Sequence, residues 1–120
     1  MNNFKELKVW QQSVDLVTDV YNLTRIFPSE EIYGITSQIR RSAISIPSNI
    51  AEGAGRIKTG DFNHFLNIAR GSSNELETQL IIAERLGFLN EKKSSETLNK
   101  IDSIQRMITG LQKSLFSHDS

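Results

Sequence analysis

The sequence predicts an all-α protein, an antiparallel up-down-up-down four-helix bundle whose second helix is kinked by a proline. Apolar residues recur at intervals of three and four along most of the 120 residues, which is the period of one helix face. The links between these segments are short, so consecutive helices are expected to be neighbours. No segment shows the alternation of apolar and polar residues that is typical of a strand.

The first helix carries one apolar face and ends before a proline. It is expected to stop at Phe27-Pro28, because the residue before proline is disfavoured in the helical region. The three-four spacing predicts that its inward residues are Leu7, Trp10, Val14, Val17, Tyr21 and Thr24.

The second helix is predicted to span about 27 residues, or about 40 Å. Ser29 is a candidate N-cap, and Glu30 and Glu31 then fall in the first turn, where the helix dipole favours negative charge. Pro47 lacks an amide hydrogen and clashes with the carbonyl of Ala43, so a bend is expected there. An apolar stripe continues on both sides of this proline, through Ile39, Ala43, Ile46, Ile50 and Gly53 or Ile57.

The third and fourth helices follow from the same period. The third is predicted to begin at Thr59 or Asp61 and to end at a glycine C-cap, Gly87. Its inward residues are predicted to be Phe62, Phe65, Ala69, Ser72, Leu76, Leu80 and Ala83. Asn90 is a candidate N-cap for the fourth helix. The core face of that helix is predicted to be Leu98, Ile101, Gln105, Ile108, Leu111 and Leu115, with Ile104 beside it.

Composition narrows the class of protein. A length of 120 residues predicts a single four-helix-bundle domain over 1–120, large enough to bury a core without cross-links. The chain has no cysteine, which excludes disulfides and thiolate metal sites. It shows neither a signal peptide nor an apolar run of about 20 residues, so we expect a cytoplasmic protein. The net charge of zero argues against a strongly basic nucleic-acid binder but permits local basic patches.

Three catalytic or cofactor-binding patterns fail on spacing. The segment 55–60 has the two glycines of a phosphate-binding loop, but Asp61 follows it and no strand precedes it. Asp61 and His64 are one helical turn apart, whereas a di-iron bundle needs two such pairs and further carboxylates. A Ser-His-Asp triad has no support in the spacing of the histidines. We therefore predict no catalytic residues, no enzyme activity, no cofactor and no metal.

Basic residues are the best candidates for contact with nucleic acid. Phosphate binding requires positive charges within reach of successive phosphates. The alternative is a mixed, solvated surface, because several acidic residues are close enough in sequence to neutralise these charges. The candidates on the second helix, its exit loop and the third helix are Arg40, Arg41, Arg56, Lys58 and Arg70.

Folding the chain about Thr59 predicts a close approach of the second and third helices. Pro47 then lies level with Ser72 and Ser73, and small residues permit backbones to come near. One of these two hydroxyls is expected to bond the carbonyl of Ala43, which Pro47 leaves without a donor.

The same fold-back predicts an ion pair. It places Arg40 and Arg41 level with Glu75 and Glu77, either between helices or between subunits. Such a pair would set the register of the helices more than their stability. It would also compete with phosphate binding for the same arginines.

Surplus apolar residues predict self-association. A single bundle axis cannot accommodate all of them, and a contiguous exposed patch is typical of an interface. For the third helix, packing on two neighbouring helices is the alternative explanation. The residues concerned are Trp10, Val20, Leu23, Ile44, Ile68, Ile82 and Leu86.

Over about Phe4 to Leu115, the chain resembles the four-helix-bundle proteins encoded in intervening sequences of bacterial 23S ribosomal RNA genes, a family that includes the accessory variability protein of diversity-generating retroelements. Ser42 and Ser73 depart from the pattern, standing where alanine and a larger apolar residue are expected. The matching blocks are Val9-Trp10-Gln11, Ile26-Phe27-Pro28, Tyr33-Gly34, Gln38-Ile39-Arg40-Arg41, the segment 46–53, Asp61-Phe62, Phe65-Leu66, the segment 75–80 and Leu86-Gly87-Phe88-Leu89.

The resemblance implies a function without catalysis. It implies a ring of four-helix bundles, a homopentamer, that binds RNA or DNA and, in retroelement members, a reverse transcriptase. Our leading hypothesis is therefore a noncatalytic ring-forming scaffold for nucleic acid or a nucleic-acid enzyme. The alternatives are a small ligand-binding or enzymatic bundle with its site at the Pro47 kink, and a purely structural oligomer.

Overall fold

A computed structural model of the chain describes residues 3–117. These residues form four α-helices and no strand, which confirms the predicted all-α, four-helix class. Two short 3-10 turns, Phe4–Glu6 and Ser29–Glu31, precede the first two helices. Among residues 3–117, no helix combines the length and the apolar character that crossing a membrane requires. The helices are α1 (Lys8–Thr24), α2 (Ile35–Ala54), α3 (Thr59–Arg85) and α4 (Glu91–Ser117).

The most extensive helix contact is between α2 and α3. Ser45 of α2 is hydrogen-bonded to Ser72 of α3, and Arg41, one turn earlier, is paired with Glu75, nearly one turn later. Residue numbers thus fall on one helix as they rise on the other, so α2 and α3 are antiparallel. The up-down-up-down order of all four helices and the bend at Pro47 stay predictions.

The start of α2 differs from the prediction. Ser29 does not cap this helix, which begins at Ile35 and contains 20 residues. Gly34 is the N-cap, with φ −110° and ψ −121°, and this backbone turns the chain out of the preceding 3-10 path. The amide of Ile35 donates to Oε1 of Glu31 at 3.3 Å, so a carboxylate still lies at the positive end of the helix.

The predicted face of α1 is wrong by one residue over most of the helix, although Thr24 is buried as predicted. Apolar doublets such as Val9-Trp10 and Val20-Tyr21 leave the phase of the helix ambiguous, because adjacent positions differ by only about 100°. In each doublet the larger residue, which carries a polar group on its ring, is only half-buried. These residues are Trp10 and Tyr21. The residues that are buried on α1 are Val9, Ser13, Leu16, Val20 and Thr24.

The core faces of α2, α3 and α4 follow the prediction more closely. On α2 the stripe continues to Gly53 and not to Ile57, which is fully exposed in the loop. On α3, Leu66 is buried and Phe65 is half-buried. On α4, Ile104 is buried in the core, while the predicted core residue Gln105 is half-buried and hydrogen-bonded to α3.

Two predicted helix ends are present. Gly87 has φ +81°, a conformation that glycine adopts without the steric cost of a Cβ. The amide of Phe88 donates to the carbonyl of Ala83 at 3.0 Å, which closes the C-terminus of α3. Asn90 accepts a 2.8 Å hydrogen bond from the amide of Lys93 through Oδ1, and it therefore caps α4.

The hydroxyls beside Pro47 do not act as predicted. Ser73 donates to the carbonyl of Arg70 at 2.6 Å, and Ser72 shares a 2.8 Å hydrogen bond with Ser45. Each hydroxyl therefore has a partner other than the carbonyl of Ala43, and the expected repair of the proline defect is wrong. The predicted close approach of small residues at this level is present in the Ser45–Ser72 contact.

The start of α3 packs closely on the backbone of α2 at Gly53. A Cβ built there would lie 2.8 Å from Cδ1 of Phe62 and 2.9 Å from Cβ of Phe65. Both distances are shorter than the contact of two carbon atoms permits. The first turn of α3 therefore packs directly on the backbone of Gly53.

Candidate nucleic-acid interface

The five predicted basic residues do not form one cluster. Arg40 and Arg41 lie on α2, Arg56 lies in the loop that follows, Lys58 is the N-cap of α3, and Arg70 lies within α3. Their surroundings decide which of them still offer an unpaired charge to a ligand.

Arg40 links α2 to α1. Its Nε donates to Oγ1 of Thr24 at 2.9 Å, and its guanidinium lies 4.5 Å from the centre of the Tyr21 ring. Thr24 is buried, and its hydroxyl donates a hydrogen bond to the carbonyl of Val20. Both contacts hold the side chain against the bundle, which favours a packing role for Arg40.

Arg41 forms the predicted interhelical ion pair. Its Nη2 lies 2.6 Å from Oε2 of Glu75, and both side chains are about half exposed, at 53% and 44%. Gln38 also accepts from this guanidinium. Glu77, the second predicted acidic partner, instead lies near Gln105 of α4, with Oε1 3.4 Å from its amide nitrogen. The charge of Arg41 is therefore largely compensated.

The charges at the loop between α2 and α3 differ. Arg56 is paired with Glu52 at 2.6 Å, and its guanidinium lies 4.8 Å from the centre of the Phe65 ring. Lys58 is exposed and forms no ion pair with any residue in the described part of the chain. Of these two, only Lys58 offers an uncompensated charge.

Arg70 lies apart from the other four, between α3 and α4. Its Nη1 donates to Oε1 of Gln112 at 3.3 Å, a neutral partner. The groove beside it is also lined by Arg106 and Lys113 of α4. These two α4 residues were not predictable as neighbours of Arg70, because their proximity to it depends on how α4 pairs with α3. The seven-residue spacing of Arg106 and Lys113 was the signal that places them on one helix face.

The side chains around Pro47 give little support to a ligand-binding or catalytic site there. Pro47 is buried, and Asn49 donates its amide to the carbonyl and hydroxyl oxygens of Ser45. Ser42, one of the two departures from the family pattern, is buried with its hydroxyl unpaired. Within residues 3–117 no three His, Asp or Glu side chains gather as ligands of a metal would.

The chain was compared with known families and structures. Residues 5–110 match the model of the 23S rRNA-intervening sequence protein family. A crystal structure of a protein of unknown function from the S23 ribosomal protein family, from Bacteroides thetaiotaomicron VPI-5482, is similar, with 26% identity and a TM-score of 0.81. The similarity covers 88% of this chain and 98% of the other. No curated protein matches the chain. The chain therefore belongs to the 23S rRNA-intervening sequence protein family.

Proposed function

We propose that the protein is a noncatalytic, ring-forming scaffold that binds nucleic acid or a nucleic-acid enzyme. The ring is a homopentamer of the kind implied by the resemblance to the accessory variability protein of retroelements, and a reverse transcriptase is the enzyme partner that this resemblance suggests. The scaffold works in the cytoplasm and needs no cofactor. The single observation that carries the proposal is uncovered apolar surface on α2 and α3.

Four of the seven surplus apolar residues support self-association. Val20 is buried, and Trp10 and Leu23 pack against the core, so these three do not contribute. The four that remain are between 38% and 57% exposed. Two of them share one face of α3 by their spacing of fourteen residues, the third is the C-cap of that helix four residues later, and the fourth is on α2. They are Ile44, Ile68, Ile82 and Leu86.

This stripe is what a subunit contact requires. A second copy that covers it would remove apolar surface from water at about 25 cal/mol per Å². The Arg41–Glu75 pair adds polar groups beside the stripe, since Glu75 shares a face of α3 with Ile68 and Ile82 by spacing. An apolar centre with polar groups beside it is typical of protein interfaces.

The absence of catalysis is part of the proposal. His64 is exposed and lies edge-on to the ring of Phe65, with 5.4 Å between the ring centres. Its described contacts therefore suit a surface side chain, and no general-base role is needed to explain them. A binding function is what the basic and apolar surfaces support.

The test combines mass with RNA binding. Light scattering at micromolar concentration should give five times the protomer mass of 13.6 kDa. Ile82→Asp should lower that mass, whereas Ile57→Asp, the same change at an isolated loop residue, should leave it unaltered. Binding of a fluorescein-labelled single-stranded RNA should weaken as salt rises. A monomer mass for the unmodified chain would overturn the ring, and a ring that binds neither RNA nor a reverse transcriptase would indicate a purely structural oligomer.

A further inference from the structure

A groove runs between α3 and α4. Of the five basic residues predicted to contact nucleic acid, only Arg70 lines it. We name it the α3–α4 groove. Its upper part has a volume of about 360 Å³, and its continuation toward the end of α4 shares Thr109 and Lys113 with it. None of the described side chains that line either part is a carboxylate. The residues that matter here are Asn63, Arg70 and Asn74 of α3 and Arg106, Gly110 and Lys113 of α4.

Three cations line this groove, and two of them, Arg70 and Lys113, form no ion pair within residues 3–117. Among these residues, Arg70 is bonded only to the neutral Gln112. Arg106 uses Nε toward Asp102 at 3.0 Å, yet its side chain is 81% exposed, so its terminal nitrogens remain available. In a chain of zero net charge, this surface is locally positive.

A ladder of amides supplies further hydrogen-bond donors. Gln112 donates to Oδ1 of Asn63 at 3.0 Å and of Asn67 at 2.8 Å, and Gln105 donates to Oδ1 of Asn74 at 2.9 Å. Because each asparagine accepts through its oxygen, its amide nitrogen is left without a partner among the described residues. Those NH₂ groups can donate to phosphate oxygens or to base edges.

Open backbone and an aromatic ring complete the groove. A Cβ built on Gly110 would meet nothing within 4 Å, so a ligand can approach the helix backbone there. Phe116 lines the lower end and is 46% exposed. A partly exposed ring beside cations is the arrangement on which a nucleic-acid base stacks.

We propose that the α3–α4 groove binds the phosphate backbone of single-stranded RNA, with Arg70, Arg106 and Lys113 contacting phosphates and Phe116 stacking on a base. This inference rests on the proposed nucleic-acid function and moves its site from α2 and the α2–α3 loop to the groove between α3 and α4. Single-stranded RNA fits better than a duplex, because the free amides and the ring are suited to unpaired bases.

The first experiment uses a matched pair at Gly110. Gly110→Glu places a carboxylate among the three cations, whereas Gly110→Ala adds only a methyl group in open space. With the full chain and a fluorescein-labelled single-stranded RNA, Gly110→Glu should weaken binding at least about tenfold, because it repels the phosphates. Gly110→Ala should bind as the unmodified chain does. Circular dichroism and light scattering should show that both variants keep the helices and the oligomer.

The second experiment is the salt dependence of binding. Three phosphate contacts on a single strand predict a slope of about −2 for the logarithm of the association constant against that of salt concentration. Arg106→Ala or Lys113→Ala should each reduce this slope by about 0.7. Arg41→Ala, which removes a guanidinium already paired with Glu75, should leave it unaltered. Phe116→Ala should weaken binding about tenfold with the slope unchanged.

The outcomes separate this inference from the proposed function. If the unmodified chain binds RNA and Gly110→Glu binds equally well, the groove is not the site, while the nucleic-acid function stands. A slope that responds to Arg41→Ala and not to Arg106→Ala would return the site to α2. If the unmodified ring binds no RNA at low salt, the groove proposal fails, whereas the scaffold function fails only if the ring binds no reverse transcriptase either.

Discussion

Gly53 shows how one residue sets the distance between two helices. Its missing side chain allows Phe62 and Phe65 to lie against the backbone of α2, just before the chain turns into α3. Gly71, on the opposite partner helix, has open space where a Cβ would be. Packing thus excludes a Cβ at Gly53 but not at Gly71.

We predict opposite effects of alanine at these two positions. Gly53→Ala should lower the free energy of unfolding by about 1–3 kcal/mol, because the new methyl group overlaps the ring of Phe62 and the Cβ of Phe65, and the core must shift. Gly71→Ala should raise it by about 0.5–1 kcal/mol, since alanine favours the helix and nothing obstructs it. Urea unfolding at one fixed protein concentration measures both. Equal effects of the two substitutions would contradict the close approach at Gly53.

Residue-level predictions from the sequence succeeded where geometry is local. The caps at Gly87 and Asn90 depend on a few neighbouring residues, and both are present. The partner of Ser73 was not predictable in this way. Its hydroxyl could reach either the carbonyl of Arg70 on its own helix or that of Ala43 across the interface, and the nearer carbonyl is the one it bonds.

At the scale of elements, the period of three to four residues predicted the number of helices correctly but not every inward face. On α2, Ile39, Ala43, Ile46 and Ile50 keep one helical spacing, and the face that they predict is buried, whereas Ile44 lies outside it and is exposed. On α1, doublets of apolar residues left two choices. The face of α1 that is buried is set by contacts with both α2 and α4, and sequence periodicity contains no information on those contacts.

The Arg41–Glu75 pair allows a prediction at this scale. A double-mutant cycle with Arg41→Gln and Glu75→Gln should give a coupling free energy of at most about 1 kcal/mol, because both side chains are about half exposed to solvent. The local pair Glu52–Arg56 is the matched control, for which about 0.3–0.5 kcal/mol is expected. Urea unfolding supplies the four free energies of each cycle. A coupling above about 2 kcal/mol would show that a further surface buries the pair and would contradict its half-exposed state.

For the whole molecule, fold class and family followed from the sequence, whereas the candidate site did not. The basic candidates were chosen for their proximity along α2 and α3, but Arg41 and Arg56 are paired with carboxylates thirty-four and four residues away, respectively. The α3–α4 groove depends on the pairing of Arg70 with two residues of α4. That register comes from the packing of the complete bundle.

Self-association should appear in thermal unfolding. A hundredfold increase in protein concentration should raise Tm by roughly 5–10 °C, because subunits that bind only the folded state stabilise it by mass action. Ile82→Asp should abolish this dependence, and Ile57→Asp should preserve it. Differential scanning calorimetry over the concentration range measures the shift. A Tm that does not vary with concentration would argue against the oligomer.

The amide ladder between α3 and α4 makes the axial position of α4 discrete. Gln105 and Gln112 are seven residues apart, about 10.5 Å along the helix, and each bonds asparagines of α3. Sliding α4 by a single residue would unpair both glutamines at once, and even a slide of seven residues, about 10.5 Å, would bring only one of them to the other's asparagines. The link of only five residues between Arg85 and Glu91 restricts so large a displacement. The hydrogen bonds of the two glutamines therefore fix the axial register of α4, and with it the positions of Arg106 and Lys113 relative to Arg70.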